Sequence, residues 1–386
     1  MKTLLDKEFT KELFSVALPI ALQSLLSALV SASDALMLGF LDQTSLSAIS
    51  LAGNVWFVLN LFQASFMIGA SVLGAQYWGK GDKETVEKVL GLSLRASIPV
   101  SLLFALAAIL LPDRLMSIFT SDAELISKGM PYLRIVSITY LTTGVSSMYL
   151  NIMRNSGQVR KSVMIGSTGV VINIILNLVL IFGIFGLLGL GIIGAAIATV
   201  IARMTELVWC IIESNQEGRV RIPVEHLCHA DVPLRRQFWR HLTPVMANEI
   251  VWGGGVTAAA AIMGHLGSDA VAAHAIANII QNILRCFCSG VGSASGIILG
   301  NLMGAGKLKK AKDYSKKLIA AALLSGTCAG LMILALSPLI MRFSFPLTDQ
   351  AKEYLRLMLQ QSTLQRQERK TKSEVFQTIH QFIWRF

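Results

Sequence analysis

The chain has 386 residues, 53% of them hydrophobic and 15% charged, with a formal net charge of +11. Soluble domains carry about 25% charged residues, so the composition excludes an ordinary soluble globule and points to an all-α polytopic membrane protein. The positive charge sits in short segments between apolar runs, which the positive-inside rule explains without a nucleic-acid partner.

Residues 1–12 are polar and basic. Apolar spans are then predicted at 13–41, 47–76, 92–112, 132–153, 163–185, 190–212, 242–264, 272–303 and 317–341. A tenth begins near Ala351 and fails by Gln360. The first span is too long for the core of a cleavable signal, and no small-residue cleavage site follows it. As a helix it is about 40 Å long, enough to cross a bilayer. It carries a single acid, Asp34. A carboxylate at membrane depth costs several kcal/mol unless it faces a wet cavity or takes up a proton. Asp34 is therefore a candidate cation or proton site in a transport path. The alternative is a cap at the outer end of the helix, in touch with water.

Orientation follows from Lys and Arg. Segments 1–12, 79–95, 154–161, 213–241 and 304–317 hold 21 of them, and the alternate segments hold 5. This bias puts the N-terminus in the cytoplasm. A shift of 225 residues places Pro19 on Pro244, Gly39 on Gly264, Ala48 on Ala273, Gly79 on Gly304 and Gly81 on Gly306. A duplication across six spans keeps its direction, so two parallel-repeat bundles are expected, with a substrate path between them. The organisation expected is a six-helix bundle over 1–212, a cytoplasmic linker over 213–241, an incomplete second bundle of three to four helices over 242–361, and a polar basic tail over 362–386.

The linker holds His226, His229 and Cys228 without an acid or thiolate cluster, which reads as a solvated connection rather than a metal site. The cysteines number five and fit no disulfide framework. Cys286 and Cys288 point about 200° apart on a helix and cannot share a metal.

The most specific stretch is Asn173-Ile-Ile-Leu-Asn177-Leu-Val-Leu-Ile-Phe-Gly183 followed by Gly189-Leu-Gly-Ile-Ile-Gly194-Ala-Ala-Ile-Ala-Thr199-Val-Ile-Ala-Arg203. Leu18-Pro19 with Asp34 and Gly39, Gly74-Ala75-Gln76-Tyr-Trp-Gly79-Lys-Gly81, Arg154-Asn-Ser-Gly157, and Pro244 with Glu249 accompany it. From about residue 11 to about residue 358 the chain thus resembles the multidrug and toxic compound extrusion family of cation-coupled efflux transporters. The resemblance implies that Asp34 binds H⁺ or Na⁺, with Asn173 and Thr199 as polar partners. Asn177 stands where some relatives carry a second acid, and Leu188 where the family usually has proline. Glu249 resembles a seventh-helix acid implied in substrate or cation binding.

The residues support a parallel argument. Asn173 and Asn177 are four apart and share one helix face. Two amides and a hydroxyl beside a carboxylate could coordinate a cation or hold a protonated acid; they could equally be polar glue between helices. Arg285, inside the eighth span, must snorkel, pair or line the cavity, and Glu249 is a candidate partner. Gly253-Gly254-Gly255 weakens its helix and reads as a bending gate or as a close helix contact. The Lys307–Lys317 run reads as a solvated flank. No phosphate-binding loop or nucleophile–base set is visible, so an enzyme and an ATP-driven pump are not expected.

The family has twelve helices, whereas the text after Gln361 cannot cross a bilayer, and a frameshift or premature stop is the expected origin of the tail. Val375–Phe386 has apolar residues spaced for a membrane-surface helix. The leading expectation is a secondary antiporter exporting drugs or toxic organic cations for H⁺ or Na⁺. It needs no cofactor and sits as a multi-pass monomer in the cell membrane among lipid, with small amphipathic or cationic substrates. The alternatives are a flippase for lipid-linked saccharide precursors and an inactive membrane fragment.

Overall fold

The computed structural model describes residues 6–41, 43–120, 122–183, 189–222, 232–265, 268–342 and 353. Within the helices, the side chains of 31, 32, 34–36, 38–41, 43, 44, 46, 259–265, 268–281, 283, 284, 333, 334 and 336–342 fall outside that description. All regular structure among the described residues is helical. In chain order it runs α1 (Lys7–Leu41), α2 (Gln43–Gly79), α3 (Lys83–Leu110), α4 (Pro112–Ser117), α5 (Ala123–Val136), α6 (Ile138–Asn155), α7 (Val159–Phe182), α8 (Gly191–Ser214), α9 (Val232–His265), α10 (Ser268–Gly304) and α11 (Leu308–Arg342). Stretches of α1, α2, α3, α7, α8 and α10 are long and apolar enough to cross a membrane. The 37 residues of α2 or α10 rise about 55 Å, well beyond a hydrocarbon core of about 30 Å.

The fourth predicted span differs from what is observed. Residues 132–153 fall in two helices, α5 and α6, divided at Ser137. Hydroxyls explain the division. Ser137 Oγ donates to Arg134 O at 2.6 Å and Thr139 Oγ1 to Val136 O at 2.6 Å. Such bonds compete with the helical ladder, and Tyr140 N turns instead to Ser137 O at 3.0 Å. α9 begins at Val232, inside the stretch read as linker, with Pro233 in its first turn, where a missing N–H costs little. His226, Cys228, His229, Leu188, residues 354–361 and the basic tail lie outside the described residues.

The chain divides into two compact units, 29–251 in one and 1–28 with 252–386 in the other. Both boundaries fall inside helices, α1 and α9. In the first unit, Leu73, Val89, Leu90, Tyr149, Phe238 and Leu242 form the main core. A second cluster gathers Leu59, Met116, Leu133 and Tyr140. Helices α7 and α8 touch closely: a Cβ added at Gly194 would sit 2.5 Å from Leu180 O. Removing the side chain is what allows this approach. In the second unit, Phe9, Leu13 and Ala17 of α1 pack with Ala294, Ile298, Leu302, Tyr314 and Leu318 of α10 and α11. Asp6 and Asp313 hold Lys317 at 2.9 and 2.6 Å, and Glu8 holds Lys310 at 2.9 Å. Lys317 is 8% exposed, so the far end of the Lys307–Lys317 run is paired and buried rather than solvated. The ammonium of Lys317 in turn draws the Asp6 carboxyl below its ordinary pKa.

The two glycine turns have the same backbone. Gly81 N donates to Trp78 O at 2.9 Å and Asp82 N to Tyr77 O at 3.0 Å; Gly306 N donates to Met303 O at 3.0 Å and Lys307 N to Leu302 O at 3.0 Å. Gly81 and Gly306 have φ of 78° and 71°, the left-handed conformation that closes a helix and suits glycine.

Candidate ion-binding site

The polar residues of α7 and α8 form a chain within the first unit. Asn173 and Asn177 are 8% and 1% exposed. Asn177 Nδ2 donates to Asn173 Oδ1 at 3.2 Å, and Asn173 Nδ2 donates to Thr199 Oγ1 at 3.3 Å. Thr199 Oγ1 donates to Ala195 O at 2.9 Å, one turn back on α8. The i,i+4 spacing stacks the two amides, and the close α7–α8 contact at Gly194 brings the hydroxyl to them. The chain is neutral throughout and built of groups that both donate and accept.

Position 34 lies in the part of α1 that belongs to the same unit. The Asp34 side chain is outside the described residues. Its helix is anchored nearby: Met37, three residues on, packs with Ile181 and Ala195. Ile181 is one turn beyond Asn177, and Ala195 one turn before Thr199. Helix α1 therefore reaches the same face of α7 and α8 that carries the polar chain.

Glu249 is half-buried on α9 in this unit. Arg285 belongs to the other unit, on α10, where its Cζ lies 5.7 Å from the centroid of the Trp252 ring. Among the described residues, Arg285 makes no ion pair. Cβ atoms added at Gly254 and Gly255 would meet nothing within 4 Å, so close packing does not account for these two glycines. Among the described residues, no three His, Cys, Asp or Glu side chains gather as a metal site.

Sequence reasoning missed two buried acids on α8. Glu206 is 4% exposed; its Oε2 takes a 2.8 Å bond from Arg203 and its Oε1 a 2.8 Å bond from Ser146 of α6. Gly169 of α7 leaves room for it, since a Cβ there would stand 3.2 Å from Oε2. Glu213, 3% exposed, meets Lys161 at 2.8 Å and Arg219 at 2.9 Å. The two acids are seven residues apart, two turns, and thus on one helix face. That spacing in an otherwise apolar helix was the available signal. A further network joins Gln63, Ser97 and Ser101: Gln63 Nε2 donates to Ser101 Oγ at 2.7 Å, and Gln63 Oε1 accepts from Ser97 Oγ at 2.8 Å.

Comparison with known proteins extends these observations. The family model MatE matches residues 19–179 and 244–363. A probable multidrug resistance protein NorM of Thermotoga maritima is 24% identical over 302 residues, 78% of this chain and 64% of that protein. A probable NorM of Bradyrhizobium diazoefficiens is 26% identical over 302 residues, again 64% of its length. The chain thus spans just under two thirds of these curated relatives. A crystal structure of MATE in the straight conformation superposes with a TM-score of 0.83 at 18% identity, covering 96% of this chain and 83% of that one. With a family model matched over most of its length and a fold of apolar helices, the chain is a multi-pass membrane protein and belongs to the MatE family, the multidrug and toxic compound extrusion transporters.

Proposed function

We propose that this protein is a secondary antiporter that exports drugs or toxic organic cations in exchange for H⁺ or Na⁺. The observation that carries the reading is the buried neutral chain Asn177–Asn173–Thr199, set on the helix face where α1, the helix of Asp34, packs. A carboxylate beside two amides and a hydroxyl has the oxygen ligands that suit a small hard cation. The same groups can hold a protonated acid by hydrogen bonds. An ion or proton bound there drives transport by favouring one arrangement of the helices over another. Relatives named as multidrug resistance proteins support the export of drugs. In this reading Glu249 and Arg285, one in each unit, are candidate substrate-binding residues. The protein works as a monomer in the cell membrane, without a cofactor, and the Lys and Arg bias of the connecting segments supports a cytoplasmic N-terminus.

The test is ethidium transport in everted vesicles driven by a pH gradient or a Na⁺ gradient. Transport by the unsubstituted chain under one gradient, reduced at least tenfold in Asp34→Asn, is the expected result. No transport under either gradient, or transport indifferent to Asp34→Asn, overturns the reading.

A further inference from the structure

The end of α2 and the starts of α3 and α9 enclose a cleft of about 490 Å³, lined by Tyr77, Thr85, Val232, Pro233, Leu234 and Gln237. All six residues belong to the first unit. Sites for small ligands have volumes of about 300–1,000 Å³, so the cleft is large enough to hold one. Across it the phenol of Tyr77 donates to Gln237 Oε1 at 3.5 Å, while Gln237 Nε2 has no partner among the described residues. The apolar stretch of α2 ends at Gly79 and that of α3 begins at Lys83, both long enough to cross a membrane. The cleft at their junction therefore lies at the depth of lipid headgroups. The start of α9 suits the same depth. Its Leu234, Phe238 and Leu242 are buried in the core. Its Trp239, 43% exposed, stands beside the exposed Arg240, the mix of aromatic and cationic groups found at a membrane surface.

Charges around the cleft are unevenly matched. On the α3 side the acids are engaged close to home. Asp82 accepts from Thr85 N and Oγ1 at 3.0 and 2.6 Å, Glu84 meets Lys88 at 2.9 Å, and Glu87 meets Lys83 at 3.8 Å. The α9 side has no acid to match: from Val232 to His241 there are three arginines and no Asp or Glu. Pro233, Arg236, Gln237 and Arg240 follow one another at intervals of three and four residues, so two of those arginines share the stripe of α9 that lines the cleft. Arg236 and Arg240 are exposed, as is Lys80 at the opposite rim, beside Tyr77. Among the described residues none of the three makes an ion pair. They are cations set around a cavity with no anion in reach.

We propose that this cleft binds the headgroup of an anionic phospholipid, its phosphodiester taken by Lys80 on one side and by Arg236 and Arg240 on the other. Guanidinium forks match the paired oxygens of a phosphate, and Gln237 Nε2 adds a neutral donor. Basic pockets between helices at a membrane surface suit such headgroups. Val232, 65% exposed, and Pro233 offer apolar surface to the first carbons of the acyl chains. A zwitterionic lipid fits less well, because its ammonium would join three cations. The face of Tyr77 that would attract a choline group is already covered by Lys80, whose Nζ lies 5.0 Å from the ring centroid. A bound headgroup ties the start of α9 to the α2–α3 turn. The inference is independent of what the protein exports.

The test titrates dioctanoyl phosphatidylglycerol and dioctanoyl phosphatidylcholine into the purified full chain in a nonionic detergent, with binding followed by the rise in thermal midpoint. Glycerol phosphate is titrated as the headgroup without chains. Phosphatidylglycerol is expected to act at concentrations at least tenfold lower than phosphatidylcholine, and glycerol phosphate to have no effect in that range. Arg236→Gln combined with Arg240→Gln is expected to abolish the preference. Arg160→Gln combined with Arg235→Gln removes the same charge from exposed positions off the stripe and is expected to keep it. Gln237→Trp fills the cleft without changing a charge and is expected to bring phosphatidylglycerol to the level of phosphatidylcholine; it carries the test if the Arg236 and Arg240 pair does not purify. Equal action of the two lipids, a preference that survives loss of Arg236 and Arg240, or one lost equally in the off-stripe pair overturns the site. Glycerol phosphate acting as strongly as phosphatidylglycerol overturns the lipid assignment in favour of a soluble phosphate ester.

Discussion

Helices α7 and α8 carry two polar systems of opposite character. Toward Gly183 and Gly191 lies the Asn177–Asn173–Thr199 chain, which is uncharged and linked by bonds of 3.2 and 3.3 Å. Toward Lys161 and Arg219 lie Glu206 and Glu213, each held by charged or hydroxyl donors at 2.8 to 2.9 Å. The second system is saturated: its carboxylates already have the partners that offset burial. The first has amides and a hydroxyl, groups that both donate and accept and so can exchange partners. The difference teaches that buried polar groups in one protein need not share a role. A carboxylate locked by Arg and Lys holds helices together, whereas neutral amides and a hydroxyl are free of that charge constraint.

Breaking the saturated system should have the largest effect on stability. Glu206→Ala strips Arg203 and Ser146 of their partner and leaves a hole beside Gly169, a loss of about 3 kcal/mol. A lowered thermal midpoint in detergent would register it. If Glu206→Ala melts with the unsubstituted chain, the lock is not structural. Gly194→Ala acts on both systems by forcing α7 from α8 at Leu180, at a cost of about 2 kcal/mol. It should lower the thermal midpoint and, under the export reading, weaken coupling-ion binding together, and an effect on only one of them would show that the contact does not support both.

Thr199→Val sharpens the comparison from the neutral side. It removes one hydrogen bond to Asn173, worth about 1 kcal/mol of stability. Under the export reading it should weaken the coupling ion several-fold in a transport titration, which Glu206→Ala should not do in the fraction that remains folded. The smallest effect is expected at the repeated turns. Asp82 accepts from Thr85 N at 3.0 Å and Thr85 Oγ1 at 2.6 Å, a cap that Lys307 cannot supply in the second turn. Asp82→Ala should cost about 0.5 kcal/mol. The Thr85 bonds hold the Asp82 carboxyl below its ordinary pKa. Its contribution is therefore full above the unfolded value of about 4 and fades as pH falls through the lowered folded value. Melts from pH 7 to pH 3 should show a part of the acid destabilisation missing in Asp82→Ala.

Local patterns were the readable part of the sequence. Four-residue spacing was enough to stack Asn173 on Asn177, because helical periodicity decides which side chains are neighbours. Gly81 and Gly306 announced their turns, since a left-handed helix ending favours the residue without a Cβ. The break at Ser137 was harder to see. It depends on hydroxyls turning back to their own helix, an option that serine and threonine have but do not always take.

By itself the amino-acid sequence determined a helical membrane chain and the faces on which its polar residues lie, because hydrophobic length and helical period are properties of consecutive residues. Only the tertiary structure decided which charges are satisfied. Glu206 meets Ser146 across 60 positions and Glu213 meets Lys161 across 52, while Lys317 meets Asp6 across 311. A buried charge is tolerated when a partner arrives in space, and that arrival is set by how whole helices pack rather than by any local run of residues.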